Sequence, residues 1–283
     1  MTQVVIVGLG LIGGSLALAL KRKGYTCLGV DKHPEVIERA LAIKAIDGQL
    51  KAWNQLQRDD IVIVATPLSC IPEILAMLAD TPAVITDVCG VKEPIIDMAK
   101  QTLGSNFPRF VPGHPMAGTE HHGIAAAKAD LFENRLCILT PTEATNPEAV
   151  SAVISVWQDV GAQVTQMEVR CHDEAMAWVS HLPHFLAFAL AAVVPEEYLA
   201  LAGDSFYSAT RVAKSDPEQW ANLLLANGNA LLQAGAILSS KMEIILEALR
   251  RQDKKQLIQV LEESAKLLKG TSCNSFSSRQ APN

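Results

Sequence analysis

The sequence predicts an α/β fold: a doubly wound, mostly parallel sheet over residues 1–167, followed by an all-helical segment over 168–270. Three observations predict it. Short β-rich runs alternate with helical patterns up to about residue 167, the signature of repeated βα units. The first, third and fourth runs are nearly continuous hydrophobics, as in strands buried on both faces of a parallel sheet. Beyond residue 168 the strand signals stop and only helical periodicity remains.

In order, the strands are VVIVG (4–8), TCLGV (26–30), DIVIVAT (60–66), AVITDV (83–88), RFVP (109–112), LCILT (136–140) and AQVTQM (162–167). Helices fit between them, for example at 12–22, 72–79, 93–101 and 147–159. The helical part comprises 171–194, 215–238 and 254–270. Ser215 suits an N-cap, with Glu218 completing a capping box, and Gly270 suits the stop after the last helix. That helix carries a one-sided apolar stripe at 257, 258, 260, 261, 267 and 268. The tail, 271–283, is small and polar and is expected to be disordered.

Composition narrows the function. A net charge of −6 and no basic cluster beyond short runs argue against a nucleic-acid partner. The six cysteines are scattered without a C-x-x-C pair and read as reduced thiols of a cytoplasmic protein. The apolar run at 185–194 is about half of what spans a bilayer, so no membrane partner is expected.

The motif Gly8-x-Gly10-x-x-Gly13 follows the first buried strand and opens a helix, and Asp31 ends the next strand. In that context it is a dinucleotide fingerprint of a Rossmann-like domain. Gly8 permits the tight turn, Gly10 lets a pyrophosphate reach the backbone, and Gly13 lets the helix pack on the strand. Leu11 and Ile12 open the helix whose N-terminus faces the phosphates. Asp31 would accept hydrogen bonds from the adenosine ribose and repel a 2′-phosphate, which favours NAD. Lys32 and His33 beside it leave room for NADP. Thr66-Pro67, after the third strand, lies where such folds run a loop past the cofactor.

Two further constellations carry chemistry. GHPMAGTE (113–120) follows a strand, so His114 belongs to the same sheet rim as the glycine loop. A neutral imidazole there could take a proton from a substrate hydroxyl, although a histidine in such a run could equally cap a turn. In VSHLPHF (179–185), Pro183 falls inside a helical pattern and should kink it, and His181 and His184 share a face. Arg211 precedes a capped helix and offers a planar fork to a carboxylate, although a lone arginine is more often a solvated surface charge. The many imidazoles lack any zinc-ligand spacing, so no metal site is expected.

Together GLGLIGGS, TDVCGVK (86–92), GHPMAGTE, SHLPH (180–184) and TRVAKSDPEQW (210–220) resemble the prephenate/arogenate dehydrogenase family of tyrosine biosynthesis. The resemblance covers residues 1 to about 270 and implies a homodimer formed through the helical domain. It implies oxidative decarboxylation: a hydride leaves C4 of a cyclohexadienyl ring for the nicotinamide, the C4 hydroxyl gives up its proton, and CO₂ departs as the ring aromatises. Carried over by motif, His114 accepts the hydroxyl proton and Arg211 pairs with a substrate carboxylate. Ser180, His181 and His184 line the substrate pocket, and Glu120 and Trp220 support it. The chain departs from the pattern at Gly90, where many members carry Ser, and at Tyr207, where many carry Arg or Lys. At Gly90 a water or Cys89 would have to replace the hydroxyl. His184, read as a donor to a keto group, tilts the choice toward prephenate, whereas arogenate's ammonium would favour an acid or an acceptor. Two other classes compete: a hydroxyacid or imine dehydrogenase with a helical second domain, and a nucleotide sensor without turnover.

Overall fold

The computed structural model describes residues 3–118 and 121–269. Glu120, the Gly270 stop and the 271–283 tail lie outside them. By packing, the chain divides into two compact units, Met1–Asn227 and Gly228–Asn283. The 167/168 boundary read from the sequence lies inside the first unit.

A six-stranded sheet organises the first unit, built from β1 (Gln3–Val7), β2 (Thr26–Val30), β3 (Gly48–Gln49), β4 (Ile61–Val64), β5 (Val84–Asp87) and β6 (Phe110–Val111). Its order is β3-β2-β1-β4-β5-β6, and every adjacent pair is parallel. Alternation along the strands feeds two cores. Val4 and Ile6 of β1 with Ile61 and Ile63 of β4 pack toward α1 (Leu11–Arg22), α2 (Pro34–Ala42) and the later helix that carries Trp157. Val5 and Val7 with Val62 and Val64 pack toward α3 (Ile71–Leu78) and α4 (Glu93–Leu103). Strands buried on both faces need apolar residues at both phases, which explains the continuous runs. The order reverses between β1 and β4, and ligands of such sheets bind in the crevice outside the strand ends at that switch point.

The next strands do not extend this sheet. β7 (Gly113–Pro115) pairs antiparallel with β8 (Leu136–Leu139), and β8 pairs parallel with β9 (Gln163–Gln166), making a separate three-stranded sheet. The sequence pattern ends its strand at 112 and shows none over 113–115. Pro112 before it, and Gly113 and Pro115 at its two ends, masked a strand of three residues. Its Gly113 runs so close to β5 that a Cβ there would lie 3.0 Å from the Asp87 carbonyl oxygen. Helix α5 (Pro147–Asp159) supplies Trp157 and begins at Asn146, whose side chain accepts from the Glu148 N–H.

After β9 come α6 (Val169–Met176), a π-helical turn (Ala177–His181), α7 (Leu182–Val193), α8 (Asp204–Thr210) and α9 (Pro217–Ala226). Pro183 was expected to kink its helix. At that place the structure has a π turn just before the proline, and the helix continues beyond it to Val193. The merged stretch 169–193 is long and apolar enough to cross a bilayer by length and composition, a point hidden when 185–194 is read alone. Its Asp173 is bonded to the N-terminus of α4, so this stretch is tied to the sheet domain. The N-cap of α9 is Asp216, which accepts from the Gln219 N–H, and not Ser215. Pro217 occupies the first helical position, where its missing donor is harmless, and this moves the cap to the residue before it.

The segment expected as one helix over 215–238 is divided at Asn227. The second unit contains α10 (Gly228–Arg250) and α11 (Lys254–Lys269), which pack on each other. Leu232, Ile237, Met242, Leu246 and Leu249 of α10 and Ile258, Leu261 and Leu267 of α11 remain exposed.

Candidate active site

The loops at the carboxyl ends of β1, β2, β4, β5 and β6 converge on one rim. Gly8 has φ +91°, and a Cβ there would lie 2.6 Å from the Ala65 carbonyl oxygen, because the loops after β1 and β4 touch. A Cβ on Gly13 would lie 1.9 Å from the Gly8 carbonyl oxygen, so only glycine lets α1 sit this close to its strand. At Gly10 a Cβ would meet nothing within 4 Å. The space above that backbone is open, at the N-terminus of α1, where N–H groups lack partners within the helix. Asp31 accepts from the Leu9 N–H at 2.8 Å and from the His33 N–H at 3.0 Å, clamping the glycine loop to the end of β2. Lys32 is exposed beside it. Thr66 adds a buried Oγ1 without a hydrogen-bond partner. An open backbone cradle, an acid at the end of β2 and an orphaned hydroxyl fit a dinucleotide.

His114 lies on β7 opposite Ile138. Its Nδ1 is 2.9 Å from Nε2 of His172, and Nδ1 of His172 is 2.7 Å from Oδ1 of Asp173. The Asp173 carboxylate also accepts from the N–H groups of Lys92 (2.9 Å) and Glu93 (2.8 Å), capping α4. Lys92 is fully buried, and its ammonium donates to Asp87 Oδ2 and, at 2.6 Å, to the Gly113 carbonyl. Asp87 Oδ1 accepts from the Gly113 N–H at 3.2 Å. This buried ion pair, with its hydrogen bonds, ties β5, α4 and β7 together and sets the strand that carries His114. Burial holds the His114 pKa well below its ordinary value, and the neighbouring His172, Lys92 and His181 add to the effect. Burial likewise lowers His172, against the opposing pull of Asp173. For Asp173, burial acts upward, but the hydrogen bonds from His172, Glu93 and Lys92 outweigh it and keep the acid low.

Gly90 follows β5 at the same place: a Cβ there would lie 3.6 Å from His114 Nε2 and 3.7 Å from Leu223 of α9. Around the π turn, His184 stacks on Trp220 with ring centroids 3.5 Å apart and planes 17° from parallel. His181 meets the same indole edge-on at 6.2 Å. His184 Nδ1 donates to the Ser180 carbonyl at 2.9 Å. Burial lowers the His184 pKa, and the Arg211 charge pushes in the same direction, so Arg211 belongs to this neighbourhood. His181 is pushed down to about 4, chiefly by burial. A neutral His184 that donates through Nδ1 keeps a lone pair on Nε2. It is therefore an acceptor, which corrects the reading of this residue as a donor to a keto group.

The prephenate dehydrogenase nucleotide-binding domain matches residues 16–166, and the prephenate dehydrogenase dimerization domain matches residues 168–263. The chain belongs to the prephenate dehydrogenase family. It is 36% identical over 242 residues to prephenate dehydrogenase of Bacillus subtilis, covering 81% of this chain and 65% of that protein, just under two thirds of its length. The structure of the Aquifex aeolicus prephenate dehydrogenase, in complex with hydroxyphenyl propionate and NAD+, is 33% identical with a TM-score of 0.87, covering 96% of this chain and 99% of that one. Synechocystis arogenate dehydrogenase is 31% identical with a TM-score of 0.80, covering 95% and 99%.

The structure brings His114, Gly90, His181, His184, Ser180, Trp220 and Arg211 into the first unit, and it puts Gly8, Gly10, Leu11, Ile12, Gly13, Asp31, Thr66 and Pro67 on the sheet rim. The reading of the sequence missed His172, Asp173, Lys92, Asp87 and Asn227. The signals were present but mute. TDVCGVK holds Asp87 and Lys92 five apart across a turn, and CHDE sets a His-Asp pair in a helical segment between Arg170 and Glu174. Nothing in one sequence says that these two pieces meet. Among the described residues no group of three or more His, Cys, Asp or Glu could hold a metal ion.

Proposed function

We propose that this member of the prephenate dehydrogenase family oxidatively decarboxylates prephenate to 4-hydroxyphenylpyruvate, with hydride transfer to NAD. The observation that carries the reading is His114. It is a neutral imidazole held at the rim that also carries the dinucleotide loop, backed by a buried acid and facing Gly90. The bound nicotinamide supplies the hydride acceptor. Glycine loop backbone and the α1 N-terminus hold the pyrophosphate, with Leu11 and Ile12 opening that helix. Asp31, beside the ribose, disfavours the extra phosphate of NADP, and the adjacent Lys32 acts in the opposite sense. His114 Nε2 takes the C4 hydroxyl proton as hydride leaves C4. The resulting carbonyl draws in the electron pair released when the ring carboxylate leaves as CO₂, and the phenol oxygen regains a proton. Arg211 pairs with a substrate carboxylate, and His181, Ser180 and the His184–Trp220 stack shape the pocket for the ring. Aromatisation drives the reaction, so orientation and a proton acceptor are what the protein must add.

Arogenate is the second reading, and one observation favours it: the neutral His184 presents an acceptor, which suits an ammonium better than a keto oxygen. The exposed apolar positions of α10 and α11, with the match to a dimerization domain, support a homodimer. Residues 1–167 as the nucleotide-binding part and 168–270 as the substrate and dimer part belong to the same reading, as does a cytoplasmic location without a membrane partner. The five described cysteines form no disulfide, which suits a reducing compartment.

Absorbance at the reduced-nicotinamide band, with NAD or NADP and prephenate or arogenate in all four pairings, tests substrate and cofactor together. His114→Asn should lower kcat roughly 10²–10⁴-fold, the usual worth of a positioned proton acceptor, while NAD binding is unchanged. Unchanged turnover in that variant contradicts the role given to His114.

A further inference from the structure

We propose that Asp173 is a positioning residue that sets two pocket histidines in opposite tautomers: His114 with its proton on Nδ1 and a lone pair on Nε2, and His181 with a lone pair on Nδ1 and its proton on Nε2. The proposal rests on the reading of His114 as the proton acceptor, and it explains what keeps that nitrogen ready to accept.

The hydrogen positions follow from groups whose polarity is not in question. Both oxygens of the Asp173 carboxyl accept from the Lys92 and Glu93 N–H groups, and hydrogen bonding holds its pKa below the ordinary value, so it is ionised and can only accept. His172 Nδ1, 2.7 Å from its Oδ1, must therefore donate. A neutral His172 then has only a lone pair on Nε2, and that lone pair faces His114 Nδ1 at 2.9 Å. His114 has to donate through Nδ1, which leaves Nε2, the nitrogen facing Gly90, free to accept.

The backbone of the same residue drives the second arm. The Asp173 carbonyl can only accept, so the Asn227 atom 2.7 Å from it is the amide nitrogen. The second hydrogen of that nitrogen points to His181 Nδ1 at 3.1 Å, which must be an acceptor. His181 then carries its proton on Nε2. One residue of α6 thus fixes an acceptor on β7 and a donor on the π turn.

The logic parallels a buried aspartate orienting a catalytic imidazole, with a second imidazole inserted between acid and base. Besides orienting the ring, the arrangement stabilises the imidazolium that forms on His114 when the hydroxyl proton arrives. The other charged or titratable groups around His114 are Lys92 and Asp87 at the β5–α4 junction, His181 on the π turn and the Cys137 thiol on β8, which burial pushes up. Lys92 and His181 disfavour a positive charge on His114, and the Asp173 carboxylate, reached through His172, opposes them.

Two experiments on the full chain test this. The first is ¹⁵N NMR of labelled histidines near neutral pH, with the His114 and His181 signals identified by their loss in His114→Asn and His181→Asn. His114 should show a protonated Nδ1 and a bare Nε2, and His181 the reverse. The opposite tautomer on His114 overturns the proposal. The second compares His172→Leu, which removes the acceptor, with His172→Gln, whose carbonyl oxygen can replace it. The Leu variant should lose roughly 10–100-fold in kcat, the scale for a lost outer-shell partner, with KM for NAD unchanged and the acid limb of the pH profile displaced. The Gln variant should recover part of the loss. Equal losses in both variants would reduce His172 to packing and overturn the relay. The tautomers are read without substrate, so expected tautomers with no turnover on either substrate would count against the proposed function and leave this inference standing.

Discussion

His114 shows how burial chooses a protonation state. Its ring is kept neutral mainly by desolvation, with His172, Lys92 and His181 reinforcing it. A base with a depressed pKa stays ready to accept a proton until the pH falls through that lowered value. The acid limb of kcat/KM should therefore lie below the ordinary histidine value of 6.5. A limb at or above 6.5 in a pH–rate profile would contradict the burial argument. The same sign governs stability. The unfolded chain takes up protons at its buried histidines near 6.5, while folded His181 refuses one until about 4. Stability should thus fall as pH drops from about 6.5 toward 4, by at most about 1.4 kcal/mol per pH unit for each such histidine. Asp173 adds to the trend at lower pH, since its folded pKa is also depressed. Denaturant titrations across that range read the slope, and a flat profile would mean that the imidazoles are not desolvated.

At the scale of elements, the turn from β1 into α1 separates folding from binding within six residues. Gly13→Ala should destabilise the fold, because the new Cβ would fall 1.9 Å from the Gly8 carbonyl and 3.0 Å from Ile6. Overpacking of this kind costs about 1–3 kcal/mol or more. Gly10→Ala has open space around it and an extended backbone that alanine tolerates. It should leave the melting temperature nearly unchanged and weaken NAD, whose pyrophosphate needs that space. Thermal unfolding and NAD titration on the two variants distinguish the effects, and unimpaired NAD binding by Gly10→Ala would remove the cradle from the proposed site. The π turn before Pro183 is the other informative element. It lies just before the proline, which has no N–H to donate, and puts Ser180 and His181 at a helix widening, a common arrangement at functional sites. The motif SHLPH was visible in the sequence. The π turn was not, because it is one of several ways a helix can accommodate a proline, and packing against Trp220 and Asn227 selects among them.

For the whole molecule, the second unit leaves large apolar side chains exposed along α10 and α11, among them Leu232 at 74% and Leu267 at 77%. Helices that bury few of their apolar residues within one chain gain by pairing with another. Sedimentation velocity should find a species of twice 30.5 kDa. A stable monomer at micromolar concentration would contradict the homodimer. A net charge of −6 also predicts no retention on nucleic acid.

The sequence by itself determined the alternation of strands and helices, the dinucleotide loop and its acid, and the motifs that point to the dehydrogenase family. Each is local: periodicity, turn chemistry or a short spacing is complete within a few dozen residues, and the physics that reads it acts over the same range. Only the tertiary structure decided that Asp173 caps α4 from 80 residues away and that Asn227 reaches His181 from 46. It also decided that a histidine on β7 finds its partner on α6, 58 residues on. A buried polar residue declares its role through the partner that satisfies it, and chain folding chooses that partner. His172-Asp173 reads in sequence as two polar residues among the charged ones of α6, and in the fold as a chain of hydrogen bonds that ends on His114.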